Sequence, residues 1–149
     1  MNKVKHVLLA EDNPNDVELT LEALSVQNLA NEVVVVQDGA EALDYLYCQG
    51  SFSGRIPDNP IVILLDIKMP KINGIEVLKQ IKKDEGLRKI PVVMLTSSRE
   101  EQDLIVSYNL GVNAYVVKPV DFQQFIYAVR QLGLFWAVIN EPPPSEKAI

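Results

Sequence analysis

The sequence predicts a doubly wound α/β domain, a mainly parallel five-stranded sheet with helices on both faces. Three observations lead there. Five short apolar runs recur without polar alternation, and most are β-branched, as in strands buried on both faces. The intervals between them carry apolar residues three and four apart, the spacing of amphipathic helices. The length, 149 residues, suits one domain and leaves little room for a second.

The first run, Val7 to Ala10, leads into Val17, Leu21 and Leu24, which share a helical face. The second, Val33 to Val36, is followed by Asp38 and Glu41, spaced like a capping box, and then by Leu43, Leu46 and Tyr47. Cys48 follows them and reads as a small packing residue of that helix. The third run, Ile61 to Leu65, precedes Val77, Leu78 and Ile81. After the fourth, Val92 to Leu95, come a second cap-like pair, Ser98 and Glu101, and then Leu104, Ile105 and Tyr108. The fifth, Tyr115 to Val117, precedes a stripe of Phe122, Phe125, Ile126, Val129, Leu132 and Trp136. These make five β–α units. Gly50 to Pro60, rich in Gly, Ser and Pro, is expected to be an exposed loop. The core spans about residues 6–136, the extension covers 137–149, and its tail from Glu141 to Ile149, with Pro142-Pro143-Pro144, reads as extended or disordered. There is no internal repeat.

Composition narrows the function. Twenty acidic and 14 basic side chains give a formal charge of −6, so no basic stripe is available to neutralise phosphates. At 48 % hydrophobic and 23 % charged, the chain has the makings of a folded core. A single cysteine can form neither an internal disulfide nor a metal cluster, which suits a reducing cytosol. No apolar run approaches the roughly 18 residues of a spanning helix. Val7 to Ala10 is too short for a signal-peptide core and runs straight into Glu11-Asp12. The expectation is a cytoplasmic domain with neither nucleic acid nor membrane as a direct partner.

In open parallel sheets, ligands bind beyond the carboxyl ends of the strands. The polar residues that follow the apolar runs are Glu11-Asp12, Asp66, Thr96 and Lys118. Three carboxylates, a hydroxyl and an ammonium should therefore meet at one edge. Two carboxylates 4 Å apart repel by about 1 kcal/mol in water and about 4 kcal/mol at an effective dielectric near 20. Either one is protonated or a cation lies between them. Oxygen donors without His or Cys favour Mg²⁺. A carboxylate beside Mg²⁺ and a lysine is placed to attack a phosphoryl donor.

Leu64-Leu65-Asp66-Ile67-Lys68-Met69-Pro70-Lys71-Ile72-Asn73-Gly74 resembles the phosphorylation segment of bacterial two-component response-regulator receiver domains, the CheY-like family. Glu11-Asp12, Thr96-Ser97, Tyr115 and Lys118-Pro119 match the family's other landmarks in order and spacing, and the match runs from residue 6 to about 136. The resemblance implies a flavodoxin-like sheet of strand order 2-1-3-4-5 with five helices. It implies that Asp66 accepts a phosphoryl group from a sensor histidine kinase, and that Glu11, Asp12, Asp66 and the backbone carbonyl of Lys68 hold Mg²⁺. Lys118 and Thr96 would bind phosphoryl oxygens, with Tyr115 turning inward as a switch. The Lys118–Pro119 peptide is expected to be cis. Lys68 and Ser98 stand where dephosphorylation rate is tuned. Many receivers carry two aspartates where this chain has Glu11-Asp12, but a glutamate still supplies an oxygen.

Taken singly, these residues have plainer readings. Glu11-Asp12 could cap the first helix, Asp66 end a strand, Thr96 bond backbone, and Lys118 sit on the surface. Their joint placement favours the receiver. His6 reads as a strand histidine without a phosphoryl-relay role. A phosphohydrolase of the haloacid-dehalogenase type is disfavoured because Lys68 stands where its second aspartate would be. A nucleotide-binding flavodoxin-like protein lacks its Gly-rich loop after the first strand. A receiver-like docking or dimerisation module that is never phosphorylated remains the alternative.

The 31 residues after Lys118 leave no room for a DNA-binding output domain, so the regulator is expected to stand alone and act through protein contacts. The apolar residues of the last helix, with Phe122, Phe135 and Trp136, exceed one core-facing stripe. Leu104 and Tyr108 could extend that patch into a homodimer interface. The Gly50–Pro60 loop and the apolar end resemble response regulators paired with cyanobacterial phytochromes, which implies a photoreceptor kinase upstream.

Overall fold

The computed structural model describes residues 6–25, 32–98, 100–101, 112 and 114–133. Five strands, β1 (His6–Ala10), β2 (Glu32–Val36), β3 (Val62–Asp66), β4 (Val92–Thr96) and β5 (Ala114–Val117), form one sheet of order β2-β1-β3-β4-β5. Every neighbouring pair is parallel. Both the class and the strand order agree with the sequence expectation.

Burial along the sheet separates strands that read alike in sequence. All residues of β1, β3 and β4 are buried, whereas Glu32 is exposed and Val33, Val34 and Val35 are half-buried. β2 and β5 are the sheet's edges, and Val117 on β5 is exposed. Asp66 and Thr96 are the last residues of their strands rather than the first beyond them.

The helices are α1 (Pro14–Leu24), α2 (Gly39–Tyr47), α3 (Gly74–Lys83) and α4 (Phe122–Gln131). Each begins with a side chain that accepts an otherwise unsatisfied first-turn N–H. Asn13 accepts from the amides of Asn15 and Asp16, with Pro14 in the first turn. Asp38, Asn73 and Asp121 accept from the amides of Glu41, Glu76 and Gln124. The Asp38–Glu41 cap is as expected. Ser98 Oγ likewise accepts from the Glu101 amide, and Glu100 and Glu101 are helical. Leu104, Ile105 and Tyr108 lie outside the described residues, as do Leu134 to Ile149 with Phe135, Trp136 and the C-terminal extension.

Alternate strand residues feed two core layers. Leu8, Ala10, Ile63, Leu65, Val92 and Met94 pack with α2 and α3, while Val7, Leu9, Val62, Leu64, Val93 and Leu95 pack with α1 and α4. In α4, Phe125, Ile126 and Val129 are buried and Phe122 packs half-buried on the second layer. Tyr127 stays 64 % exposed.

Gly50 to Pro60 is the largely exposed loop expected before β3, and one expectation, on Cys48, needs correction. Gly50–Phe52 form a 3-10 turn, Pro60 is buried, and Arg55 anchors the segment on Tyr45. Cys48 lies just past α2 in a left-handed conformation at φ 55°, so it ends that helix and is only half-buried. The carbonyls that Arg55 satisfies explain why a Gly/Ser/Pro-rich stretch is ordered.

Candidate functional site at the carboxyl edge of the sheet

Because the strands run parallel, their carboxyl ends share one edge. Glu11 and Asp12 leave β1, Asp66 ends β3, Thr96 ends β4, and Lys118 leaves β5. Ligand oxygens of Glu11, Asp12 and Asp66 all lie within 4.8 Å of one another. Glu11 is fully buried and Asp66 is 3 % exposed, while Asp12 faces solvent.

Local folding fixes each side chain. The Glu11 amide donates to the Val36 carbonyl at 3.0 Å, and its carboxylate accepts from the Asn13 amide at 3.2 Å. Gly74 brings α3 close behind Asp66, since a Cβ there would collide with the Asp66 carbonyl. Lys118 precedes a cis peptide to Pro119, and its amide donates to the Thr96 carbonyl at 2.8 Å. That bond ties the β5 exit to the end of β4, where Thr96 is fully buried.

The Lys118 ammonium lies 3.1 Å from Glu11 Oε1, 3.1 Å from Asp66 Oδ1 and 3.0 Å from Asp16 Oδ2. Burial alone would make it easier to deprotonate, but Asp16, Asp66 and Glu11 outweigh that and hold it well above the usual lysine range. Burial raises Glu11 to about 7, helped by its hydrogen bond to and repulsion from Asp66. Burial also raises Asp66, and its contacts with Glu11 and Lys118 only partly offset the effect. One ammonium does not neutralise so many carboxyls. The donor set consists of carboxylate oxygens, two of them buried and close enough to repel. Such a set fits a hard divalent cation, whose charge would relieve that repulsion.

The surroundings add contacts that sequence reading missed. The Ser97 amide donates to Glu101 Oε1 at 2.6 Å, so Glu101 grips the loop beyond Thr96. Its other oxygen lies 3.7 Å from the Lys68 ammonium, bridging the loops that follow β3 and β4. Lys71, at φ 66°, reaches Asp38 Oδ2 at 3.6 Å. Asp16 is the largest omission. It lies in the first turn of α1, four residues after Asp12. Tyr115 is half-buried on β5 beside Met94, and burial pushes its phenol up. Glu11, Asp12, Asp66, Thr96 and Lys118 are thus at the same edge. Of the residues expected at an interface, Phe122 is described and packs on the core; Leu104, Tyr108, Phe135 and Trp136 lie outside the described residues.

The opposite edge holds a second cluster. Arg55 donates to the Tyr45 carbonyl through Nε at 3.0 Å and Nη2 at 2.8 Å, with its guanidinium 3.9 Å over the Tyr45 ring. Tyr45 meets Phe52 and His6 edge-on. No helix among the described residues is long and apolar enough to cross a membrane.

Comparison with known proteins points the same way. Response regulator Rcp1 of Synechocystis sp. is 38 % identical over 135 residues, covering 91 % of this chain and 90 % of Rcp1. The bacteriophytochrome response regulator AtBRR superposes with a TM-score of 0.88 at 60 % identity, over 94 % of this chain and 100 % of that one. The phosphorylated cyanobacterial phytochrome response regulator RcpA gives 0.73 at 40 % identity, over 96 % and 100 %. The family model described as response regulator receiver domain matches residues 7–130. With its strand order, its carboxyl-edge acids and its lysine before a cis proline, the chain belongs to the response regulator receiver domain family.

Proposed function

We propose that this chain is a stand-alone, cytoplasmic response regulator in which Asp66 accepts a phosphoryl group from a phytochrome-type sensor histidine kinase. The observation that carries this reading is the convergence of Asp66, Glu11, Asp12 and the Lys118 ammonium at one edge of the sheet. An Asp66 carboxylate oxygen attacks the phosphorus of a phosphohistidine. The P–N bond breaks, the imidazole leaves and takes up a proton, and an acyl phosphate remains on Asp66. Mg²⁺ held by Glu11, Asp12, Asp66 and the Lys68 carbonyl would neutralise charge on the transferring group. Lys118 holds a second positive charge against the phosphoryl oxygens. The Thr96 hydroxyl binds one of those oxygens in the activated state, and Tyr115 turns inward behind it.

The chemistry is confined to this self-catalysed transfer and the later hydrolysis of the acyl phosphate, so the chain is a switch rather than an enzyme acting on a separate substrate. The phosphorylated form of RcpA and the Mn²⁺-bound form of Rcp1 support the acceptor and the metal, and the likeness to AtBRR supports the photoreceptor. Exposed Tyr127 and Val117 beside β5 support a homodimer through that face.

The test is intact-protein mass after incubation with a small phosphodonor, with and without Mg²⁺, for wild type and Asp66→Asn. A Mg²⁺-dependent gain of one phosphoryl group in wild type alone is the expected result. No gain under any condition would leave an unphosphorylated docking module. Transfer from a purified phytochrome-type kinase then tests the partner.

A further inference from the structure

We infer that Glu101 is a positioning residue that fixes the Thr96–Ser97 peptide and with it the reach of the Thr96 hydroxyl toward the phosphoryl group. This inference rests on the phosphoacceptor reading of Asp66 and deepens it. The peptide group joining Thr96 to Ser97 is planar, so holding both of its polar ends fixes the plane. Its carbonyl accepts from the Lys118 amide at 2.8 Å, and its N–H donates to Glu101 Oε1 at 2.6 Å. Turning that plane, which would redirect the Thr96 side chain, means breaking both bonds. The Lys118 half of the clamp is backbone and survives any side-chain change. The Glu101 half is a side chain, and there the peptide can be released.

Burial and capping give this bond its hold. Glu101 is 9 % exposed, so water cannot readily replace its carboxylate at the Ser97 amide. Its own amide donates to Ser98 Oγ at 3.2 Å, which places the side chain at the start of the helical turn. In a capping box, the acid three residues on returns to the amide of the cap residue itself. Here it reaches one residue further back, to the amide bonded directly to Thr96. The other Glu101 oxygen lies 3.7 Å from the Lys68 ammonium, whose side chain is 83 % exposed, and so solvated a pair adds little. Accepting from Ser97 is therefore what the buried carboxylate contributes to the site.

The probe is beryllium fluoride, a phosphoryl mimic, titrated calorimetrically into the full chain at fixed Mg²⁺, alongside a titration with Mg²⁺ alone. Glu101→Ala removes the acceptor, and Glu101→Asp keeps the charge on a side chain one methylene too short to reach. Both should bind beryllium fluoride about three- to tenfold more weakly than wild type, the scale of one lost hydrogen bond. Glu101→Gln keeps an oxygen at the right reach and should stay within about twofold of wild type, as should the Mg²⁺ affinity of all three. The deciding comparison is made in Thr96→Val, which lacks the hydroxyl and should itself bind beryllium fluoride more weakly. There Glu101→Ala and Glu101→Asp should cause no further loss, because a residue that acts through Thr96 has nothing left to position. A Glu101 that merely capped the helix would lower the Tm and leave beryllium fluoride affinity unchanged, or weaken it equally with and without the Thr96 hydroxyl. Either result overturns the inference, as does tighter binding in folded Glu101→Asp or wild-type affinity in Thr96→Val. Failure of wild type to bind beryllium fluoride at all would instead sink the phosphoacceptor reading, and the inference with it.

Discussion

The two ends of the sheet handle charge differently. At the amino edge, the Arg55 guanidinium meets backbone carbonyls and an aromatic face. It donates to the carbonyls of Tyr45, Ile56 and Asp58 and lies over the Tyr45 ring. At the carboxyl edge, Glu11, Asp16 and Asp66 meet the Lys118 ammonium, Asp12 stands beside Glu11 and Asp66, and burial pushes Glu11 and Asp66 upward. One cluster closes the end of α2 and orders a loop. The other leaves repulsion standing at the place where a cation and a phosphoryl group would relieve it. Stability is thus concentrated away from the site, and the strain sits where chemistry is expected.

Substitution at each end should separate these roles. The largest effect is Asp66→Asn, expected to abolish phosphoryl gain completely by mass while Arg55→Ala retains it. If Asp66→Asn still gained one phosphoryl group, the carboxyl edge would not be the acceptor.

Next in size is pH. Folded Glu11 keeps its proton up to about 7, whereas an unfolded glutamate releases it near 4.5. Between those values the native chain binds more protons. Its contribution to stability is fully present below about 4.5 and lost as pH rises through about 7. In metal-free buffer, urea midpoints should fall from pH 5 to pH 8, and added Mg²⁺ should stabilise more at pH 8 than at pH 6. A flat profile would mean that the acidic cluster is relieved without a cation.

Arg55→Ala should cost about 1–3 kcal/mol in denaturant unfolding, because it strips charge-assisted hydrogen bonds from the Tyr45 carbonyl and removes the ring contact. Its rate of phosphoryl gain should match wild type, and a large change there would show that the two edges are coupled. The smallest effect is at Lys71, a non-glycine residue at φ 66° in the loop after Asp66. Lys71→Gly should add up to about 1 kcal/mol, since relief of left-handed strain exceeds the extra entropy of a free glycine. The exposed ion pair it breaks to Asp38 contributes little.

Much of this was readable from residue order. Apolar runs buried on both faces leave an unmistakable sequence trace, so the strands and their helices could be placed. Glu11, Asp12, Asp66, Thr96 and Lys118 were legible because each ends or follows such a run, and parallel strands deliver their ends to one edge whatever their order. Local turns and caps such as Asp38–Glu41 were legible for the same reason: their partners are three residues apart.

The rest depends on how distant segments meet. Val33 to Val35 look as buried in sequence as Leu8, but the order of strands makes β2 an edge and leaves them half-covered. Asp16 and Lys118 are 102 residues apart, and α1 must dock beside the β5 exit before one can hold the other. The composition around Arg55 marks an exposed loop but not its anchor, because the Tyr45 carbonyl and ring that hold it belong to another element. Residue order sets which groups reach the carboxyl edge. Distance and burial, which arise only when the layers close, set their charge and their partners.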